Sequence, residues 1–195
     1  MVCAFIIQTL DSNDSEILYY RVYSSSSSEK EVMSGESGTT TVELNNSLFQ
    51  TNIEKKDFLN FVVNKINMMY ALKINMSLVP ISQTTIIKGV FTERNWKKNQ
   101  CEPFVVVWEA VHGLGFSMLC KKSENYIQAQ NMMEIVISQL DKYLDFLSNP
   151  AVALKSIETV SLIINQFLPS GQILFLNSSF IQQFEKQLEK DLYSK

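Results

Sequence analysis

The stretch that decides the fold is FVVVWEAVHGLGFSMLC, residues 104–120. Phe104 to Val111 is dense in β-branched and aromatic residues, which favour strands. His112-Gly113 supplies a two-residue turn, and Leu114 to Cys120 returns as a second strand. Val105, Val107 and Val111 lie on one face of the first strand, and Phe104, Val106 and Trp108 on the other. Apolar residues on both faces require cover on both faces, so this hairpin is expected at the centre of a sheet.

Working towards the N-terminus, Thr84 to Phe91 reads as another strand, and RNWKKNQCEP (94–103) as a polar loop. Glu54 to Ile74 predicts a helix, because Phe58, Val62, Ile66 and Met69 recur on one stripe. Asn52 is its expected cap, and Glu54 and Asp57 suit the positive end of the helix dipole. Val2 to Leu10 and Glu16 to Tyr23 predict a first hairpin across the turn formers DSNDS (11–15). The run after Met1 lacks a basic leader and meets acidic residues at once, so a strand is expected there rather than a signal peptide. Residues 24–52 begin SSSSSEKEVMSG and hold few large apolar side chains. Such a segment does not repay its ordering entropy and is expected to be a flexible loop.

Beyond the hairpin, Asn125 to Leu147 predicts a long helix with Met133, Val136, Leu140, Leu144 and Leu147 on one side. Ser148-Asn149-Pro150 is expected to stop it. A second helix is expected over Ala151 to Phe167, ended by Pro169-Ser170-Gly171. The last block reads ILFLNSSFIQQFEKQLEK, residues 173–190. It predicts an extended piece and then a helix capped by Asn177 or Ser178, with Phe180, Phe184 and Leu188 on one side. Ile173, Phe175, Leu176, Phe180 and Phe184 bury of order 600 Å² if covered, since one Phe alone accounts for about 150 to 250 Å². That surface is expected to close the domain's own core and to share its edge with a partner. The predicted architecture is α+β: about five strands, mainly antiparallel, with helices on both faces, and a C-terminal closing segment over 169–195. All 195 residues are expected to form a single domain.

Composition narrows the function. Hydrophobic residues make up 46% and charged residues 19%, enough to build a core. Net charge is −3 with lysine and arginine scattered, so no nucleic-acid partner is expected. No window approaches eighteen uninterrupted apolar residues, so no spanning helix is expected. Cys3, Cys101 and Cys120 are far apart and form no CxxC pair; reduced, buried thiols are expected. His112 is the single histidine and sits in a turn, so a serine or cysteine hydrolase would have to use it. No metal-ligand spacing occurs, and the lone GxG of HGLGF lies between strands, where no helix N-terminus receives a phosphate. The expectation is no catalytic residue, no cofactor and no metal. Trp96, between basic residues in a loop, and Phe180, Phe184 and Leu188 are the expected partner-binding residues.

Several blocks follow one another in a familiar order: MVCAFIIQTL (1–10), EPFVVVW (102–108), LGF (114–116), EN (124–125) and FLPSGQILFLNSSFIQQFEK (167–186). Together they resemble the sigma, or small, subunits of adaptor protein complex five. The resemblance spans nearly the whole chain, and its C-terminal block is the most specific; the serine-rich segment and the first helix match by position and pattern only. It implies a longin-like fold and a role as a small core subunit of a heterotetramer with zeta, beta and mu chains, alongside spatacsin and spastizin. It further implies membrane-cargo sorting without clathrin, with a cytoplasmic chain held peripherally at late endosomes and lysosomes. Nothing in the residues argues against a nuclear pool. No motif carries a cargo pocket across residue by residue. Longin domains also occur in SNAREs and GTPase-regulating complexes, which is the alternative reading. A small hydrolase using Cys120 or a serine with His112 is the third.

Overall fold

The computed structural model describes residues 1–10, 15–23, 52–77, 85–94, 103–174 and 177–193. The serine-rich segment expected over 24–52 (all but Asn52, which is helical), Trp96, Cys101, Phe175 and Leu176 lie outside them. Element order is β1 (Val2–Thr9), β2 (Ile17–Val22), α1 (Asn52–Met76), β3 (Ile87–Glu93), β4 (Phe104–Val111), β5 (Leu114–Lys121), α2 (Tyr126–Leu144), α3 (Pro150–Lys155), α4 (Ile157–Phe167), a 3-10 turn (Pro169–Gly171) and α5 (Ser178–Tyr193). The five strands form one sheet in the order β2-β1-β5-β4-β3, every neighbouring pair antiparallel. This is the α+β arrangement expected from the patterning, and it is consistent with the longin-like fold that the resemblance implies.

The β4–β5 hairpin is central because its side chains feed two cores. Val107, Phe116 and Met118 join Phe5 on one face, beneath α2, α4 and α5. Val106, Trp108 and Leu119 join Ala4 and Ile6 on the other, beneath Phe58, Val62 and Ile66 of α1. Aromatic contacts pin both layers, with Phe58 and Phe104 at 5.7 Å and Phe116 and Phe146 at 5.9 Å between ring centroids. The turn between β4 and β5 needs left-handed backbone at both residues, and His112 (φ 52°) and Gly113 (φ 79°) provide it.

Four boundaries differ from the sequence expectation. β3 begins at Ile87 and runs to Glu93, shifted along the chain from Thr84 to Phe91. α2 stops at Leu144, because Asp145 takes left-handed geometry (φ 48°) and its N–H donates to the Asp141 carbonyl at 2.8 Å. The Asp141 carboxylate then accepts from the Leu147 N–H at 3.1 Å. Pro150 does not merely end a helix; it occupies the first position of α3, where its missing N–H costs nothing. The helix expected over Ala151 to Phe167 is divided at Ser156 (φ −117°, ψ 39°), which caps α4 without a side-chain bond.

One buried charge interrupts the first core. Glu109 of β4 is 3% exposed, and burial pushes its carboxyl above the usual range despite the Lys88 ammonium 3.7 Å away. Lys88 also pairs with Glu134 of α2, so it ties edge strand to helix. Lys88→Met is expected to cost about 2 kcal/mol, below the 3–5 of a fully dry pair because Lys88 is partly in water. Adding Glu109→Gln should recover most of it. Urea titration of wild type and the two variants checks this; equal losses in the single and double variants would remove the pair from the account.

Candidate functional site

No helix among the described residues is long and apolar enough to cross a membrane. Among the same residues no group of three or more His, Cys, Asp or Glu is placed to hold a metal ion. His112 and Cys120 stand at opposite ends of β5. Six residue steps separate Leu114 from Cys120, roughly 20 Å at ~3.4 Å each, so the two cannot share a proton. Cys120 is fully buried, and burial pushes its thiol up to about 12. A thiol so placed is not a thiolate nucleophile near neutrality. Exposed apolar side chains supply a candidate site of another kind.

The C-terminal block begins with a wedge. Leu168 donates its N–H to Ile164, and Pro169–Gly171 turns the chain through left-handed backbone at Ser170 (φ 51°) and Gly171 (φ 75°). Gly171 is buried, and a Cβ there would collide with the Val2 carbonyl and come within 2.8 Å of the Tyr23 ring. Only glycine therefore seats this turn against β1 and the end of β2.

From there α5 lies back on the helical layer. Asn177 caps it, its side-chain oxygen accepting from the Phe180 N–H at 3.0 Å. Leu188 is fully buried in the first core, and Phe184 packs edge-on against Phe167 with centroids 5.8 Å apart. Polar contacts flank this seam: the Gln139 amide donates to Glu185 at 2.9 Å, Lys142 pairs with Glu185 at 3.0 Å, and Tyr143 donates to Glu189 at 3.4 Å. The hydrogen bond from Gln139, with Lys142, holds the Glu185 carboxyl below its usual range. Glu185 thus belongs to the docking seam rather than to a solvated face.

Of the four expected partner residues, the three that are described differ in exposure. Leu188 is inside, Phe184 is half-buried, and Phe180 is 49% exposed at the start of α5. Trp96 lies outside the described residues. The structure adds exposed apolar side chains that the sequence reading did not single out: Met68, Leu72 and Met76 on α1, Ile86 before β3, and Tyr126 and Ile127 at the start of α2. The signal for the first three was present as an i, i+4, i+8 spacing, but it ran beside the stripe that faces the core.

Comparison with known proteins agrees with this architecture. The family model described as AP-5 complex subunit sigma-1 matches residues 1–189. A curated human protein, AP-5 complex subunit sigma-1, is 35% identical over 86 residues. That alignment takes in 44% of this chain and 43% of the human protein, so the directly alignable part is under half of either. The antiparallel sheet, the helices on both its faces and the family match along nearly the full length agree, and the chain belongs to the AP-5 complex subunit sigma-1 family.

Proposed function

We propose that this chain is a non-catalytic small subunit of a heterotetrameric adaptor complex that sorts membrane proteins at late endosomes and lysosomes. The observation that carries the reading is the family match over residues 1–189, seated on a sheet that already has both faces covered. Such a fold offers rigidity and outward apolar side chains, and His112 and Cys120 stand too far apart to share a proton. Zeta, beta and mu chains are the expected partners, with spatacsin and spastizin alongside, and membrane attachment comes through the complex. On this reading the chain works on the cytoplasmic face of these compartments.

The longin module of a SNARE is disfavoured by one feature. α5 is spent on the domain's own core through Leu188, so it is not a free heptad helix ready for a four-helix bundle. The experiment is depletion of this chain in cells with quantification of the other adaptor subunits. A subunit buried against a large partner should take that partner's abundance down several-fold when removed. Unchanged levels of all adaptor chains, with normal endosomal sorting, would overturn the proposal.

A further inference from the structure

We infer that the outer edge of β2 is a docking site for an extended segment of a partner protein, which adds to the five-stranded sheet as a further strand. The surface is one that the adaptor reading does not use. β2 ends the sheet on one side and β3 on the other. The Tyr23 N–H donates inward, to the Cys3 carbonyl, at 2.9 Å. Bonding alternates along an antiparallel strand, so the N–H and C=O of Val22 and Tyr20 turn outward. Among the described residues no backbone group pairs with them there. An edge of that kind is a template for another strand. The opposite edge is blunted, because Lys73 of α1 sets its ammonium on the Lys88 carbonyl of β3.

Two grooves, one on each face of β2, choose the occupant. Between β2 and α4, a groove of about 490 Å³ has Tyr19, Ile157 and Leu162 as its apolar walls, with Ser161 and Asn165 beside them. Ser161 accepts from the Arg21 guanidinium at 3.2 Å, which fixes α4 alongside the strand. On the other face, β2 and the start of α1 enclose about 750 Å³ between Ile17, Tyr20, Lys55, Lys56 and Leu59. The Lys55 ammonium lies 4.9 Å from the centre of the Tyr20 ring. Two lysines face one acid, Glu16, in that lining, and Glu54 and Asp57 of the same helical turn stay out of it. A strand sends successive side chains to opposite faces. One added to β2 therefore points every second side chain towards α4 and the others towards α1. The matching chemistry is an extended segment that alternates apolar and acidic residues, apolar against Tyr19, Ile157 and Leu162, and carboxylates beside Lys55 and Lys56. A second copy of this chain is the poorer fit. Its β2 already packs Ile17 and Val22 on one core and Leu18 and Tyr19 on the other, so those side chains are spent and the grooves stay empty.

The test uses the full chain and a fluorescent peptide of alternating Val and Glu, with binding read by anisotropy. The peptide should bind, and its counterpart of alternating Val and Lys should bind about ten-fold more weakly or worse. Methylating the backbone nitrogens of the Val-Glu peptide should abolish binding, because strand addition runs through them. Hydrogen exchange should find the Tyr20 and Val22 amides fast in the free chain and slowed in the complex. Lys55→Glu/Lys56→Glu should reverse the preference between the two peptides; the other arms use the unaltered chain and stand whatever that variant does. No binding of the Val-Glu peptide, equal binding of both peptides, or binding that survives methylation overturns the site. So does a free chain whose Tyr20 and Val22 amides exchange as slowly as those of β1, since the edge is then filled by a second copy or by the chain itself. None of these results touches the adaptor reading, which falls only to its own depletion experiment.

Discussion

Leu188→Asp is expected to release α5 and to cost more than about 4 kcal/mol. Leu188 is fully buried, and its removal alone should cost about 2–5 kcal/mol. The carboxylate adds the penalty of a charge placed in the apolar cluster that holds Leu140 and Phe167. Against a total stability of about 5–15 kcal/mol that is enough to remove most soluble chain. Phe180→Asp, two turns away on the same helix and half exposed, should cost under about 0.5 kcal/mol. Denaturant unfolding of the two variants beside wild type gives the comparison. If Leu188→Asp unfolds within 1 kcal/mol of wild type, α5 is not part of the core.

Trp108→Ala should cost about 3–5 kcal/mol, the range for deleting a large aromatic from a packed interior. The side chain has no exposed surface and lies flat over Gly89 of β3; a Cβ at Gly89 would meet its Nε1 at 2.5 Å. The indole therefore fills the space a side chain on the edge strand would take, and Lys73 of α1 sits above the ring. Removing it opens a cavity between three elements at once. Trp108→Phe should lose much less, since the ring survives and the Nε1 hydrogen, which has no acceptor among the described residues, goes with the substitution. Thermal melts of Ala and Phe variants test the claim; equal shifts in the two would mean that volume is not what Trp108 contributes.

Both predictions concern residues whose strand or helix was readable in advance, and the reason is physical. Where period and apolar content agree, as in Phe104 to Cys120, the sequence leaves one strand pair and one turn, and the register follows from His112-Gly113. The break at Ser156 was not readable, because the residues on either side form a good helix and tertiary packing decides where it bends. The burial of Glu109 was equally hidden. An acid in a strand reads as solvent-facing until the position of Lys88 and Glu134 is known. The candidate interface was legible only in half. The C-terminal block announced an apolar surface, but composition does not say which side chains turn inward. Leu188 went to the core, Phe184 to its rim and Phe180 to water. On α1 the converse happened: one stripe was read, and the second, facing outward, was masked by the first.

The account depends on a chain that acts through the surfaces it covers and not through reaction chemistry. The most direct test is the native mass of the tagged chain purified from cells at its ordinary abundance, with its companions identified. The account predicts a heteromer several times the mass of the 22.3 kDa chain, holding large adaptor subunits in one-to-one ratio with it. Recovery of the chain as a stable, solitary 22.3 kDa monomer would contradict it.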